Sequence, residues 1–387
     1  MLWSVLLLLG GLTKTGAQAD RCGSVWQSTE RTEANEQFIE RWSRNYSPSA
    51  TPRAVRTIPV VVHVVYRNLV DNIPDDRIFD AIDALNADFR ATTDVSVVPA
   101  QFSDLIADTE IEFCLAGLDD TGQLAILRRQ TTIPGIGTAT QNGQARIFYT
   151  DLGGSDPIEP AQYLNLYVAE MSGTIGRGIF PDQAGPIEDG VILSFDVFGS
   201  GDYLDPPYNQ GRTLTHEVGH YLNLRHVWGN DLNDCAEDDL VNDTPNTGAN
   251  YLGDCVTTGA SCGSADMPTN FMYYTDDACM ANFTPDQKVR MLATLAGPRA
   301  GLGEGCLPVS THETKQVEIQ ISPNPATDQI QLTVTEPILS VRIGDAQGRW
   351  RKVEAQRVID VSDLPKGIYW LEVRTTFGVG VARFLRL

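Results

Sequence analysis

A chain of 387 residues is long enough for two or three domains, and its 42% hydrophobic content is that of a globular protein. With 29 basic against 50 acidic residues its formal charge is −21, which argues against nucleic acid or an anionic membrane as partner. Such a surface aids solubility and can also supply carboxylates for calcium.

The chain opens with MLWSVLLLLGGLTKTGAQA, a short apolar run closed by Ala17-Gln18-Ala19. That is the pattern of a secretory signal peptide over residues 1–19, too short to span a bilayer stably. No later segment has the length and apolarity of a membrane helix. Residues 20–56 are polar and charged, with a short helix expected over about 30–44 and then an exposed, cleavable stretch, SPSATPRAVR. TIPVVVHVVYR follows, a β-branched run that predicts a buried strand, in which His63 is a core or hydrogen-bonded histidine. PDDRIFDAIDALNADFRA places Ile78, Ile82, Leu85 and Phe89 on one helical face. TEIEFCLA, YLNLYVAE and DGVILSFDVF predict further strands, with Cys114 of the first a buried thiol. Strands alternating with a few helices indicate an α/β domain over residues 57–300.

After a linker at 301–315, which holds His312, the pattern changes. Short alternating segments such as Ile330-Leu332-Val334 and Tyr369-Leu371-Val373, separated by turn signals, predict a small all-β sandwich over residues 316–387. It contains no His or Cys, so the chemistry belongs to the first domain.

Three of the five histidines fall within eleven residues, HEVGHYLNLRH. From the chain's composition a His-acid-x-x-His string is expected only about 0.01 times. On a helix His216 and His220 share one face and can grip one ion together, with Glu217 placed to take a proton from water. His226 joins them only if the helix stops near Leu222 and turns back, and Asn223 is suited to the positive φ that such a turn needs. Three neutral imidazoles with an open fourth position make a catalytic zinc site. Four cysteines, Cys235, Cys255, Cys262 and Cys279, follow closely and predict two disulfides in one of three pairings. Cys22, Cys114 and Cys306 are left over, an odd number, so at least one has no internal partner.

HExxHxxxxxH is the signature of the metzincin metalloproteases, usually with Gly where Asn223 stands, and GRTLTHEVGHYLNLRH resembles the pappalysin family in particular. The resemblance implies a catalytic domain with a mixed twisted sheet, a backing helix and an active-site helix. Its further implications attach to particular residues. NFMYY would be the Met-turn, with Met272 as the floor beneath the zinc ligands and Tyr274 stabilising the oxyanion. The disulfides would be Cys235–Cys262 and Cys255–Cys279. DDLVNDTPNT resembles a calcium loop using Asp239, the Val241 carbonyl, Asp243 and Thr244. Asp277 would lie at the bottom of the S1′ pocket and select Arg or Lys after the scissile bond, with Asp276 as the candidate if the register shifts by one. The Arg-Cys-Gly at residues 21–23 resembles a cysteine switch, with Cys22 as zinc ligand of a latent form and residues 20–56 as a propeptide cleaved near Arg53 or Arg56.

The C-terminal segment, with ISPNPATDQIQLTV, VIDVSDLPKGIYWLEV and the closing ARFLRL, resembles the type A sorting domain of the type IX secretion system, an immunoglobulin-like sandwich. The chain thus reads as a secreted or surface-held, latent, monomeric zinc endopeptidase. It would use calcium, act on proteins or peptides and be exported by the type IX machinery. The rival reading is a surface-binding or adhesion protein whose protease-like domain is inactive or secondary.

Overall fold

The computed structural model describes residues 21–47, 54–117, 125–201, 204–230, 235–248, 251–253, 255–303, 319–335, 338–345, 350–375 and 378–387. The expected signal peptide, Arg53, Cys306 and most of the linker lie outside them.

The main sheet of the first unit has six strands, β1 (Arg56–Tyr66), β2 (Ile111–Leu115), β3 (Ile126–Gln130), β4 (Leu164–Ala169), β5 (Gly176–Gly178) and β6 (Val191–Ser194). Their order is β2-β1-β4-β6-β5. The β2 strand pairs with the first half of β1 and β3 with its second half. All pairings are parallel except β5 against β6, so the sheet is mixed with a short antiparallel edge. A central parallel strand must be covered on both faces. In β1, Ile58, Val60, Val62 and Val64 enter one core with Leu166, Val168, Val191 and Leu193. Val65 faces the other side with Tyr167 and Ile192.

Helix α2 (Asp75–Phe89) covers the first face through Ile78, Ile82, Leu85 and Phe89, the residues that its sequence periodicity assigns to one face. Helix α3 (Arg212–Tyr221) carries the histidine motif and packs into the same core through Leu214 and Val218. Helix α4 (Pro285–Ala296) opens on a Thr284/Gln287 capping box with Pro285 in its first turn. Ahead of the sheet, α1 (Glu30–Arg44) opens on a Thr29/Thr32 capping box and lies against α4. Arg56, one of the two expected processing points, is the first residue of β1 and is hydrogen-bonded through its backbone to Glu110.

Cys114 is half-buried and disulfide-bonded, not a buried thiol. The alternation of β2 reports which face a side chain takes, not whether its sulfur finds a partner. Among the described cysteines Cys22 is free, and it is buried.

The C-terminal unit is all-β. One sheet holds β7 (Gln320–Ser322), β8 (Gln329–Thr333) and β11 (Val358–Asp360). The other holds β9 (Ile338–Gly344), β10 (Trp350–Val353), β12 (Gly367–Thr375) and β13 (Gly378–Arg386). Alternate residues Ile330, Leu332, Val341, Ile343, Leu371 and Val373 meet in one core between the sheets. No helix among the described residues is long and apolar enough to cross a membrane.

His63 lies in the middle of β1, fully buried, stacked on Tyr167 with ring centroids 4.4 Å apart. Its ring nitrogens are bonded to Ser155 Oγ at 2.8 Å and Asn165 Oδ1 at 2.9 Å. Burial pulls its pKa down to about 4 from 6.5. Its contribution is therefore full above pH 6.5 and is lost as the pH falls toward 4, because the unfolded chain takes up the proton first. Each unit of separation is worth about 1.4 kcal/mol. His63→Gln should be less stable than the wild type at pH 7, and the gap in Tm should narrow steadily by pH 4.5. A gap that is independent of pH would contradict this account.

Candidate metal centre

All ten residues of α3 are buried. The helix ends at Leu222, and Asn223 adopts φ 70°, the left-handed conformation expected from its type. The Leu224 N–H then donates back to the Gly219 carbonyl at 2.9 Å, closing the turn that returns His226 to the helix face. The His220 Nε2 lies 3.0 Å from His216 Nε2 and 3.1 Å from His226 Nε2.

The contact between His216 and His220 is not a hydrogen bond. The His216 Nδ1–H donates to the Phe271 carbonyl at 2.7 Å and the His220 Nδ1–H to the Leu224 carbonyl at 2.8 Å, which leaves both Nε2 atoms as bare lone pairs. Lone pairs facing one another at that separation repel, and a cation between them would turn the repulsion into ligation. The Cys22 sulfur completes the group, and its four candidate donor atoms all lie within 4.8 Å of one another. Three imidazoles and one sulfur are a donor set suited to tetrahedral zinc. Burial and the nearby Glu217 push the Cys22 thiol well up, a penalty that a divalent cation would reverse.

The surroundings hold this geometry tightly. Met272 is fully buried under the helix, and a Cβ on Gly219 would come within 2.4 Å of its sulfur. The Met272 backbone is held by Asn270 Oδ1 at 2.9 Å, and Asn270 is itself held by Gln287 on α4. On the opposite side β5 runs so close to α3 that a Cβ on Gly178 would meet the Glu217 carbonyl oxygen at 2.1 Å, so only glycine fits. Glu217 is fully buried, and its Oε2 accepts from Gly178 N–H at 2.7 Å and Ser24 Oγ at 2.9 Å. Its Oε1 has no hydrogen-bond partner among the described residues. Burial, only partly offset by hydrogen bonds from Cys22, Ser24 and Gly178, pushes the Glu217 carboxyl up to about 7. The Tyr274 ring lies 5.6 Å from that of His216 and 4.9 Å from that of His226, and its hydroxyl shares a hydrogen bond with Cys22.

Asp277 is buried beside this cluster. Its Oδ1 accepts from Arg21 Nη2 at 2.6 Å, and its Oδ2 accepts from the backbone N–H groups of Gln210 and Arg212 at 2.9 and 3.2 Å. It is Asp277 that takes the arginine; its neighbour Asp276 is half-buried. The structure pairs Cys235 with Cys262 and Cys255 with Cys279. In the acidic loop, Thr244 Oγ1 lies within 2.9 Å of both Asp239 oxygens and the Val241 carbonyl. Asp243 turns toward α4 and accepts from Thr284 Oγ1 and the Asp286 N–H. Burial pushes Asp239 up to about 7.

Sequence reasoning missed Arg21, Ser24 and Gly178. Arg21 had a signal, its place directly before Cys22 in Arg-Cys-Gly. Ser24 and Gly178 had none, because their role depends on a contact with Glu217 that only the packed chain makes.

The profile of the pregnancy-associated plasma protein-A peptidases matches residues 154–296. An extracellular metalloprotease of Arthroderma benhamiae is 30% identical over 310 residues, spanning 76% of this chain and 98% of its own length. This chain belongs to the pappalysin family. A mutant of promirolysin from Tannerella forsythia is 34% identical, with a TM-score of 0.64, over 73% of this chain and 97% of that one. Mature mirolysin in complex with a cleaved peptide is 37% identical, with a TM-score of 0.58, over 65% of this chain and 97% of that one. The profile of a secretion-system C-terminal sorting domain matches residues 320–385. This pappalysin is therefore a zinc metalloendopeptidase, secreted or held at the cell surface, with a sorting domain at its C-terminal end. The reading as a binding protein with a secondary protease-like domain is set aside.

Proposed function

We propose that the chain is a latent endopeptidase that cuts peptide bonds before Arg or Lys, with His216, His220 and His226 as its zinc ligands and Glu217 as general base. The observation that carries this reading is the seating of residues 21–24 in the cleft. Arg21 reaches the Asp277 carboxylate, Cys22 faces the three imidazoles, Gly23 N–H donates to Gly176 O at 2.8 Å, and Ser24 caps Glu217. A basic side chain paired with a buried carboxylate one residue from the ligand cluster is what a substrate's P1′ residue would present.

When bound, zinc supplies a Lewis acid that polarises the scissile carbonyl and acidifies water. Glu217 would take the proton of the attacking water and deliver it to the leaving amine. Its carboxylate is aimed by the Gly178 N–H, and leaving Oε1 unpaired keeps one oxygen ready for that proton. Tyr274 would donate to the oxyanion, and edge strand β5 would receive the main chain of an extended substrate. Met272 would serve as the floor. Zinc ligation by Cys22 would hold the latent form until residues 20–56 are removed. The mature mirolysin match covers less of this chain than the promirolysin match, in keeping with a removable segment. Asp239, the Val241 carbonyl and Thr244, with Asp243 nearby, would bind calcium through hard oxygens. The two-sheet C-terminal unit would be an immunoglobulin-like sandwich that hands a monomeric enzyme to the type IX machinery.

Mass-spectrometric mapping of cuts in an unfolded protein by the processed enzyme should find Arg or Lys after most scissile bonds. Glu217→Ala should lower the rate by at least about 100-fold. Asp277→Ala should flatten the basic preference, and an unchanged preference would remove the pocket assignment. The unprocessed chain should be inactive, and Cys22→Ala should raise its activity by about tenfold or more; full activity of the unprocessed wild type would end the latency proposal. Withdrawing calcium with zinc kept saturated should lower the Tm by several degrees, since a ligand at 100 times its Kd adds about 2.7 kcal/mol. In Asp239→Ala the Tm should not respond to calcium, and an unresponsive wild type would contradict the site.

A further inference from the structure

Beyond Ser24 the N-terminal segment continues without regular structure to Thr29, where the capping box of α1 begins. Two of its side chains converge on the loop that carries the third histidine. The Trp26 ring covers the Arg225 guanidinium at 3.7 Å from centroid to Cζ. Glu36, nearly two turns into α1, lies 3.6 Å from Arg225 Nη2 and takes both terminal nitrogens of Arg290, with Nη1 to Oε2 at 2.9 Å. The Asn223 side-chain amide adds a contact to Glu36 at 3.4 Å. Arg290 in turn donates through Nε to the Asn223 carbonyl at 2.7 Å, so it is fixed to the turn that sets His226.

Arg225 and Arg290 are only 9% and 4% exposed, and they stand side by side. Burial and the neighbouring Arg290 together push Arg225 down. Asp238 and Asp239 also face Arg225 and stay when the segment leaves. Glu36 and Trp26 do not stay. Their departure opens two guanidiniums that have lost a bidentate carboxylate and an aromatic cover, and a carboxylate is the group that restores that pairing.

The position follows from the run of the chain. Trp26 stands four positions after Cys22, a reach of at most about 14 Å. If the Asp277 pocket is primed, as the proposed function reads it, Arg225 lies on the other, non-primed side of the metal centre.

We infer that Arg225, backed by Arg290, forms an anion-recognising subsite that takes an Asp or Glu side chain of the peptide substrate, about three to five residues before the scissile bond. The processed enzyme binds such substrates through charge-assisted hydrogen bonds from the two guanidiniums, which replace those made to Glu36.

The test is cleavage-site profiling of a denatured protein mixture by the processed enzyme, in wild type, Arg225→Gln and Arg225→Lys. Asp and Glu should be enriched three to five residues before the cut in the wild type, weakened in Arg225→Lys and absent in Arg225→Gln. Two quenched peptides that differ only by Glu or Gln at the most enriched position should differ about fivefold in kcat/KM for the wild type, mainly through KM. That ratio should fall to one in Arg225→Gln. A wild type without acidic enrichment, or an enrichment unchanged in Arg225→Gln, overturns the inference. The basic preference after the cut, read from the same spectra, reports on Asp277 alone. Its loss would overturn the pocket reading, while the acidic enrichment before the cut still decides this one.

Discussion

Three imidazole nitrogens, converging at 3.0 and 3.1 Å with at least two lone pairs toward one another, set the terms for everything around them. With their outer nitrogens donating to carbonyls, neutral His216 and His220 repel at that contact, so the chain must hold the rings in place by other means. It does so from three directions. Backbone carbonyls of Phe271 and Leu224 bind the outer nitrogens of two rings, Asn223 reverses the chain to return the third, and Met272 fills the space that Gly219 leaves beneath the helix. Such fixing of the outer nitrogen orients a ligand and sets its tautomer.

The sheet serves the same end. Its parallel centre is buried on both faces and gives α2 and α3 a rigid bed, while the one antiparallel strand, β5, stands at the edge. There Gly178 approaches Glu217 more closely than any residue with a Cβ could, and its N–H aims the carboxylate. Rigid elements thus carry the centre, and the edge nearest to it is a short strand whose Gly176 carbonyl accepts the Gly23 N–H.

The N-terminal segment uses the same features in reverse. Arg21, Cys22, Gly23 and Ser24 occupy in sequence a buried carboxylate, the metal centre, an edge-strand carbonyl and the proposed base, and Glu36 adds a remote ion-pair anchor. Removing one partner of a buried ion pair costs about 3–5 kcal/mol, so each anchor helps keep the segment seated. In the proposed reading, latency and substrate choice share their residues, because the segment holds the cleft with the contacts that a substrate would later make.

Much of this was legible in the residues themselves. The helical spacing of His216 and His220, the need for a turn before His226, the β-branched run of β1 and the alternation of the C-terminal strands follow from local periodicity and steric preference. Periodicity carries no information about partners far along the chain. It did not reveal β3, whose Ile-Leu-Arg-Arg-Gln is half polar, nor the three-residue edge strand β5, nor the disulfide at Cys114. The pairing of Arg21 with Asp277 joins residues 256 positions apart, and Glu36 with Arg290 joins residues 254 apart. By itself the sequence determined which histidines converge and the backbone turn that gathers them, because both are set within eleven residues by helix geometry and the φ preference of asparagine. Only the tertiary structure decided what fills the cleft and which carboxylate meets which arginine, because buried charges take their partners from whatever packing brings within reach.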